Sequence, residues 1–86
     1  MPRSVFSRKY KRFRELVVGA RKQAGLTQAE LARKLGKPQS FVSKYELGER
    51  RLDVVEFLEV ASALGFEPEV LIKKLSERGP EAGSER

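Results

Sequence analysis

Apolar residues recur along this chain every three or four positions, in blocks that close on glycine. Phe6, Tyr10, Phe13, Val17, Ala20 and Ala24 form the longest stripe, the pattern of one long helix with one buried face. It predicts a helix that begins near Ser4 or Ser7 and ends at Ala24, with Gly25 beyond it. Thr27 followed by Glu30 is a capping box, in which each side chain satisfies the other's free backbone N–H. Leu31, Ala32 and Leu35 then share one face, and Gly36 stops the helix. Pro38 cannot continue that helix but suits the first turn of the next. The next helix is predicted over 38–46, with Val42 and Tyr45 inward and Gln39, Ser40, Ser43 and Lys44 in solvent.

Asp53 with Glu56 forms a second box. The helix it opens, 54–64, is expected to bury Val54, Phe57, Leu58, Ala61 and Leu64 and to end at Gly65. Glu67-Pro68 starts a last helix with Val70, Leu71 and Leu75 inward. The reading is all-α, with five helices packed into one compact domain over 7–75. Residues 1–6 are expected to be a frayed terminus. The final stretch 76–86, SERGPEAGSER, has one alanine as its only apolar residue and is expected to be disordered.

Composition narrows the function. Eighty-six residues make one small domain. There is no cysteine and no histidine, which removes disulfides, thiolate metal sites and the commonest general base and metal ligand. No apolar run approaches a membrane span or a signal-peptide core, so the expected location is the cytoplasm. The net charge of +6 is unevenly divided: residues 1–51 carry 14 Lys/Arg against 4 Asp/Glu, and residues 52–86 carry 4 against 8. A basic front and an acidic back point to a polyanionic partner on one side, or else to an unevenly charged solvated surface.

Two short helices joined by a glycine-punctuated turn over 27–48 have the form of a helix-turn-helix unit. Here the chain resembles the DNA-binding domains of phage repressors and Cro-like, XRE-type transcriptional regulators, the lambda-repressor-like fold. Gln28 opens the motif; Leu31, Ala32 and Leu35 form its packing face; Gly36 is its ninth residue; Val42 and Tyr45 are its later core positions; and Glu46-Leu47-Gly48 supplies an E-x-G ending. The similarity spans roughly 21–75. Two positions depart from the pattern: Lys37 replaces an apolar turn residue, and Pro38 stands where a capping Ser or Thr is usual.

The resemblance implies roles for particular residues. Gln39, Ser40, Ser43 and Lys44 would face base edges in the major groove, as the N-terminal part of a recognition helix does. Gln39 matches the principal base-reading position, and glutamine can bond adenine at N6 and N7 together. Gln28 resembles a residue that grips a phosphate at a helix N-terminus. Arg50 and Arg51 lie in the loop that the family uses for backbone contacts, which position without specifying. Lys37 could compensate for the altered turn by reaching a phosphate. Phe41 could touch a thymine methyl or the sugar backbone, or shield the neighbouring helix. Arg21 is expected to pair with Glu46, locking the first helix to the reading helix, and its guanidinium could also reach a phosphate. Within the family the first helix begins nearer Leu16. The stretch 6–13 is therefore an extension, which either packs on the chain's own last helix or serves dimer or backbone contact.

The implied function is a sequence-specific regulator of double-stranded DNA, a repressor acting as a homodimer on a palindromic operator. Val60, Phe66 and Leu75 are the apolar residues left for a dimer contact. The alternative is an antitoxin-like module whose main partner is another protein. An enzyme is not expected, because nothing assembles a converging set of acid–base or nucleophilic groups; no cofactor and no metal are implied.

Overall fold

The computed structural model describes the backbone of residues 3–77 and the side chains of residues 8–77. Five helices follow one another: α1 Arg3–Gln23, α2 Gln28–Leu35, α3 Gln39–Leu47, α4 Val54–Leu64 and α5 Pro68–Ser76. No strand occurs among the described residues. The five-helix all-α expectation holds. The side chain of Phe6 in the predicted stripe, and 78–86 of the expected tail, lie outside what is described.

Local chemistry sets the borders. Both capping boxes form: Thr27 accepts from the Glu30 N–H at 3.0 Å and its own N–H reaches Glu30 Oε1 at 2.9 Å. Asp53 and Glu56 repeat the arrangement at 2.7 and 3.0 Å. Gly36 ends α2 at φ 69°, and its N–H turns back to the carbonyls of Ala32 and Arg33. An L side chain at that angle would be strained. Pro38 sits at the N-cap of α3 rather than inside it, and α3 has no side-chain cap, as expected of proline in a Ser/Thr position.

The core draws on every helix: Phe13 and Val17 from α1, Leu31 and Ala32 from α2, Val42 and Tyr45 from α3, Phe57, Val60 and Ala61 from α4, and Leu71 from α5. Fully buried residues such as Val17, Leu31, Val42 and Val60 each contribute roughly 1.5–3 kcal/mol. The packing places α2 against α3 and α4, and α1 against α3 and α5. The helix-turn-helix therefore rests on a scaffold made by the chain's two ends.

Several expected core positions change sides. Val54 and Leu58 are 72% and 47% exposed, and Val70 is 53% exposed. Val60, expected to be free for a dimer contact, is completely buried. Phe66 and Leu75 are partly buried against the core. The segment VVEFLEVASAL of α4 is apolar nearly all round, so periodicity alone cannot choose its face. The core selects Phe57, Val60 and Ala61, spaced three and four apart, which turns Leu58 outward. Ala24, the last member of the α1 stripe, lies past the helix end and is exposed.

Candidate nucleic-acid interface

Val42 and Tyr45 anchor α3 in the core, which turns the opposite side of the helix to solvent. Gln39, Ser40 and Lys44 are exposed there. Ser43 is half-buried and its Oγ donates to the Ser40 carbonyl at 3.4 Å. All four residues read from the sequence as outward thus lie on or beside one face.

Glu46 is the centre of the polar packing behind that face. Arg21 donates from Nε to Oε2 at 2.7 Å and from Nη2 to Oε1 at 3.0 Å, a two-pronged contact. Its Nη1 donates to the Leu26 carbonyl at 2.8 Å. The side chains are 12% and 7% exposed, so the expected Arg21–Glu46 pair is present and nearly out of water. The hydrogen bond to Glu46 raises the Arg21 pKa, against an opposing desolvation. With Nε, Nη1 and Nη2 all engaged, only the outer N–H groups of Arg21 could turn to a phosphate.

The same carboxylate extends the network to the reading helix. Gln28 donates from Nε2 to Glu46 Oε1 at 2.8 Å, and Gln39 donates from Nε2 to Gln28 Oε1 at a long 3.4 Å. Gln28 therefore keeps one amide hydrogen outside these bonds, while its oxygen accepts from Gln39. A chain of contacts runs from α1 through Glu46 and Gln28 to the position read as the principal base contact.

The α3–α4 connection is built as firmly. Arg50 meets Glu56 with two parallel bonds, Nη1 to Oε1 at 3.0 Å and Nη2 to Oε2 at 2.9 Å, and also donates to the Arg51 carbonyl at 3.0 Å. The Arg50 contact, followed by the Asp53 N–H, pulls the Glu56 carboxyl down to about 2. Phe41 is half-buried, edge-on to Tyr45 at 5.6 Å. Lys37 Nζ and Arg50 Cζ lie 5.1 and 4.8 Å from its ring centroid, within cation–π range. The ring thus shields the packing face of α3 and gathers two cations beside it. Arg51 lies over the Tyr10 ring at 4.3 Å.

Two residues of this region went unnoticed in the sequence. Arg14 donates from Nη1 to the Glu46 carbonyl at 3.1 Å. Its guanidinium closes over Gly48, where an added Cβ would come within 3.0 Å of Arg14 Cζ. Tyr10, read as an apolar stripe member, accepts the Leu52 N–H at 2.9 Å. The available signal was spacing: Tyr10, Arg14 and Arg21 recur four and seven residues apart and so share the side of α1 that meets α3 and the loop after it.

Two short packed helices joined by a glycine turn, the second with an exposed polar row and a part-buried ion pair to α1 behind it, have the form of a helix-turn-helix domain. The profile of the helix-turn-helix family matches residues 20–71. A solved structure, an XRE-family like protein from Pseudomonas syringae pv. tomato str. DC3000, superposes with a TM-score of 0.81 at 46% identity, covering 85% of this chain and 89% of that one. Comparison with curated proteins finds no match. The chain belongs to the XRE-type helix-turn-helix family of DNA-binding regulators.

Proposed function

We propose that the chain is a sequence-specific double-stranded DNA-binding repressor that acts in the cytoplasm as a homodimer on a palindromic operator. In this reading α3 enters the major groove and Gln39, Ser40, Ser43 and Lys44 meet base edges. Arg21, Gln28, Lys37, Phe41, Arg50 and Arg51 face the backbone of the duplex, and two half-sites lie about 34 Å apart. The observation that carries the reading is the Glu46–Gln28–Gln39 relay behind an exposed polar row. A side chain oriented from behind loses less freedom on binding, which favours a specific contact over a merely electrostatic one. Apolar side chains left outside the core, Val54, Val55 and Leu58 on α4 and Val70 and Ile72 on α5 among them, support a protein contact as well, either a second copy or an antitoxin-like partner.

Fluorescence anisotropy tests the reading, with labelled duplex from the region upstream of the chain's own coding sequence set against scrambled duplex of equal length. Preference that persists at physiological salt is the expected result. Gln39→Ala should then remove about 1–3 kcal/mol of discrimination. Binding that is equal for both duplexes and collapses steeply with salt would leave only phosphate contact with these duplexes. No binding at low salt refutes the reading.

A further inference from the structure

The first acidic side chain of this protein is Glu15, and the α1 extension reads RKYKRFR over 8–14. The first turn of α1 holds no acidic residue, although the positive end of a helix dipole favours carboxylates and disfavours cations. Arg8 also has like charges three and four residues on, at Lys11 and Arg12, where neighbours on a helix repel. Among the described residues the ion pairs join Arg21 to Glu46 and Arg50 to Glu56. No carboxylate there offsets Arg8 or Lys11, and both are exposed. A helix charged in this way opposes its own stability. A local rule broken without compensation inside the fold points to a counter-charge outside it.

Helical spacing divides these cations between two flanks. Lys9 and Arg12 share the flank toward α5, where Arg12 Nη2 reaches the Lys74 carbonyl at a long 3.5 Å. Lys11 precedes Glu15 by one turn, and Arg8 precedes it by two. Glu15, Val18 and Lys22 line a cleft that opens against Glu46 in the last turn of α3. Arg8 and Lys11 therefore continue the flank of α1 that borders the proposed reading helix. Tyr10 ties the same stretch to the α3–α4 connection, its hydroxyl accepting the Leu52 N–H at 2.9 Å.

We infer that Arg8 and Lys11 form a second phosphate-binding strip, by which the α1 extension lies along the backbone of the duplex beside the helix-turn-helix. The inference rests on the DNA-binding reading. It adds to that reading two residues that lie ahead of the family match, which begins at residue 20. Phosphates supply the negative charge that this half of α1 lacks, so binding relieves a repulsion that the free chain carries.

Fluorescence anisotropy on a labelled duplex of arbitrary sequence, titrated with salt, counts the phosphates that the chain neutralises. Arg8→Gln combined with Lys11→Gln should lower the slope of log K against log salt by roughly 1.8, about 0.9 for each contact. Lys9→Gln combined with Lys73→Gln is the matched control. It removes the same charge from the α5 flank of α1 and from the exposed surface of α5, and should keep the wild-type slope. The Arg8 and Lys11 pair should melt no lower than wild type at low salt, because a like-charge contact is removed. Circular dichroism gives the melting temperature and verifies the fold. A lower melting temperature, a wild-type slope in that pair, or equal reductions in both pairs, as net charge alone would give, overturns the inference. Failure of the wild-type chain to bind any duplex at low salt instead overturns the DNA-binding reading itself.

Discussion

Removing Glu46 should reveal whether α1 and α3 are fastened by a surface pair or a buried one. Exposed ion pairs contribute about 0–1 kcal/mol. Breaking a buried pair by deleting one member costs about 3–5 kcal/mol, because the other charge is left without compensation. At 12% and 7% exposure for Arg21 and Glu46, the second regime applies, near its lower edge since neither side chain is wholly sealed. Glu46→Ala is therefore expected to destabilise by about 3 kcal/mol. Chains of 86 residues have about 4–13 kcal/mol in all, so the variant should fold, with a melting temperature lower by roughly 12–24 °C. Glu46→Gln should fall between: three bonds reach the carboxylate oxygens, and an amide must oppose one donor with another.

Urea unfolding followed by far-ultraviolet circular dichroism gives the numbers. The deciding comparison is the double replacement Arg21→Met with Glu46→Leu, which substitutes apolar volume for both charges and should recover most of the stability. That variant should bind duplex with a salt slope lower by roughly 0.9 for the phosphate assigned to Arg21, and with weakened base preference, because Gln28 no longer has its acceptor and Gln39 is left beside a neighbour that nothing orients. A cost below 1 kcal/mol for Glu46→Ala, additive with that of Arg21→Ala, would refute the reasoning and place the pair among surface contacts.

Three further outcomes are expected. Tyr45 is 1% exposed and its hydroxyl has no hydrogen-bond partner among the described residues; since an unpaired buried polar group costs about 1–3 kcal/mol, Tyr45→Phe should be neutral or stabilising, and a destabilisation above 1 kcal/mol in urea would show that the hydroxyl is satisfied. Glu56 is held at about 2 against an ordinary value of 4.5, so its stabilising contribution is complete above 4.5 and disappears as the pH falls towards 2; the pH dependence of the urea midpoint should flatten across that window in Glu56→Gln, and curves parallel to wild type would contradict the assignment. Gly48 has φ 85° and lies against Arg14, so Gly48→Ala should cost at least the roughly 1–2 kcal/mol of a left-handed L residue; a change within 0.5 kcal/mol by the same assay would mean the turn is not held as described.

What could be read from the sequence divides by range. Capping boxes and glycine stops act within three or four residues, so Thr27 with Glu30, Asp53 with Glu56 and Gly36 placed the helix borders correctly. Helix faces were legible only where polar residues interrupt them. The α3 sequence QSFVSKYEL buries Val42 and Tyr45 as expected, whereas α4 offers apolar choices on every side, and Val54, Leu58 and Val60 were assigned wrongly. The Arg21–Glu46 pair was reached through family resemblance. Contacts that join distant residues without such a guide, Tyr10 with Leu52 and Arg14 with the Glu46 carbonyl, left no mark beyond a shared helix face.

Those long-range contacts explain how a weakly capped helix can hold the place of the proposed reading element. Pro38 gives α3 no side-chain cap, and a helix of nine residues is marginal in isolation. Its stability must come from tertiary packing, and α1 supplies much of it at the C-terminal end. Arg14 meets the Glu46 carbonyl, where the helix dipole favours a cation, and Arg21 holds the Glu46 side chain. The N-terminal residues Gln39 and Ser40 are left outside those bonds to α1. A helix fastened at its last turn keeps its first turn exposed, which is what the proposed groove contact requires. The departure at Pro38 is tolerable because the anchoring lies at the opposite end.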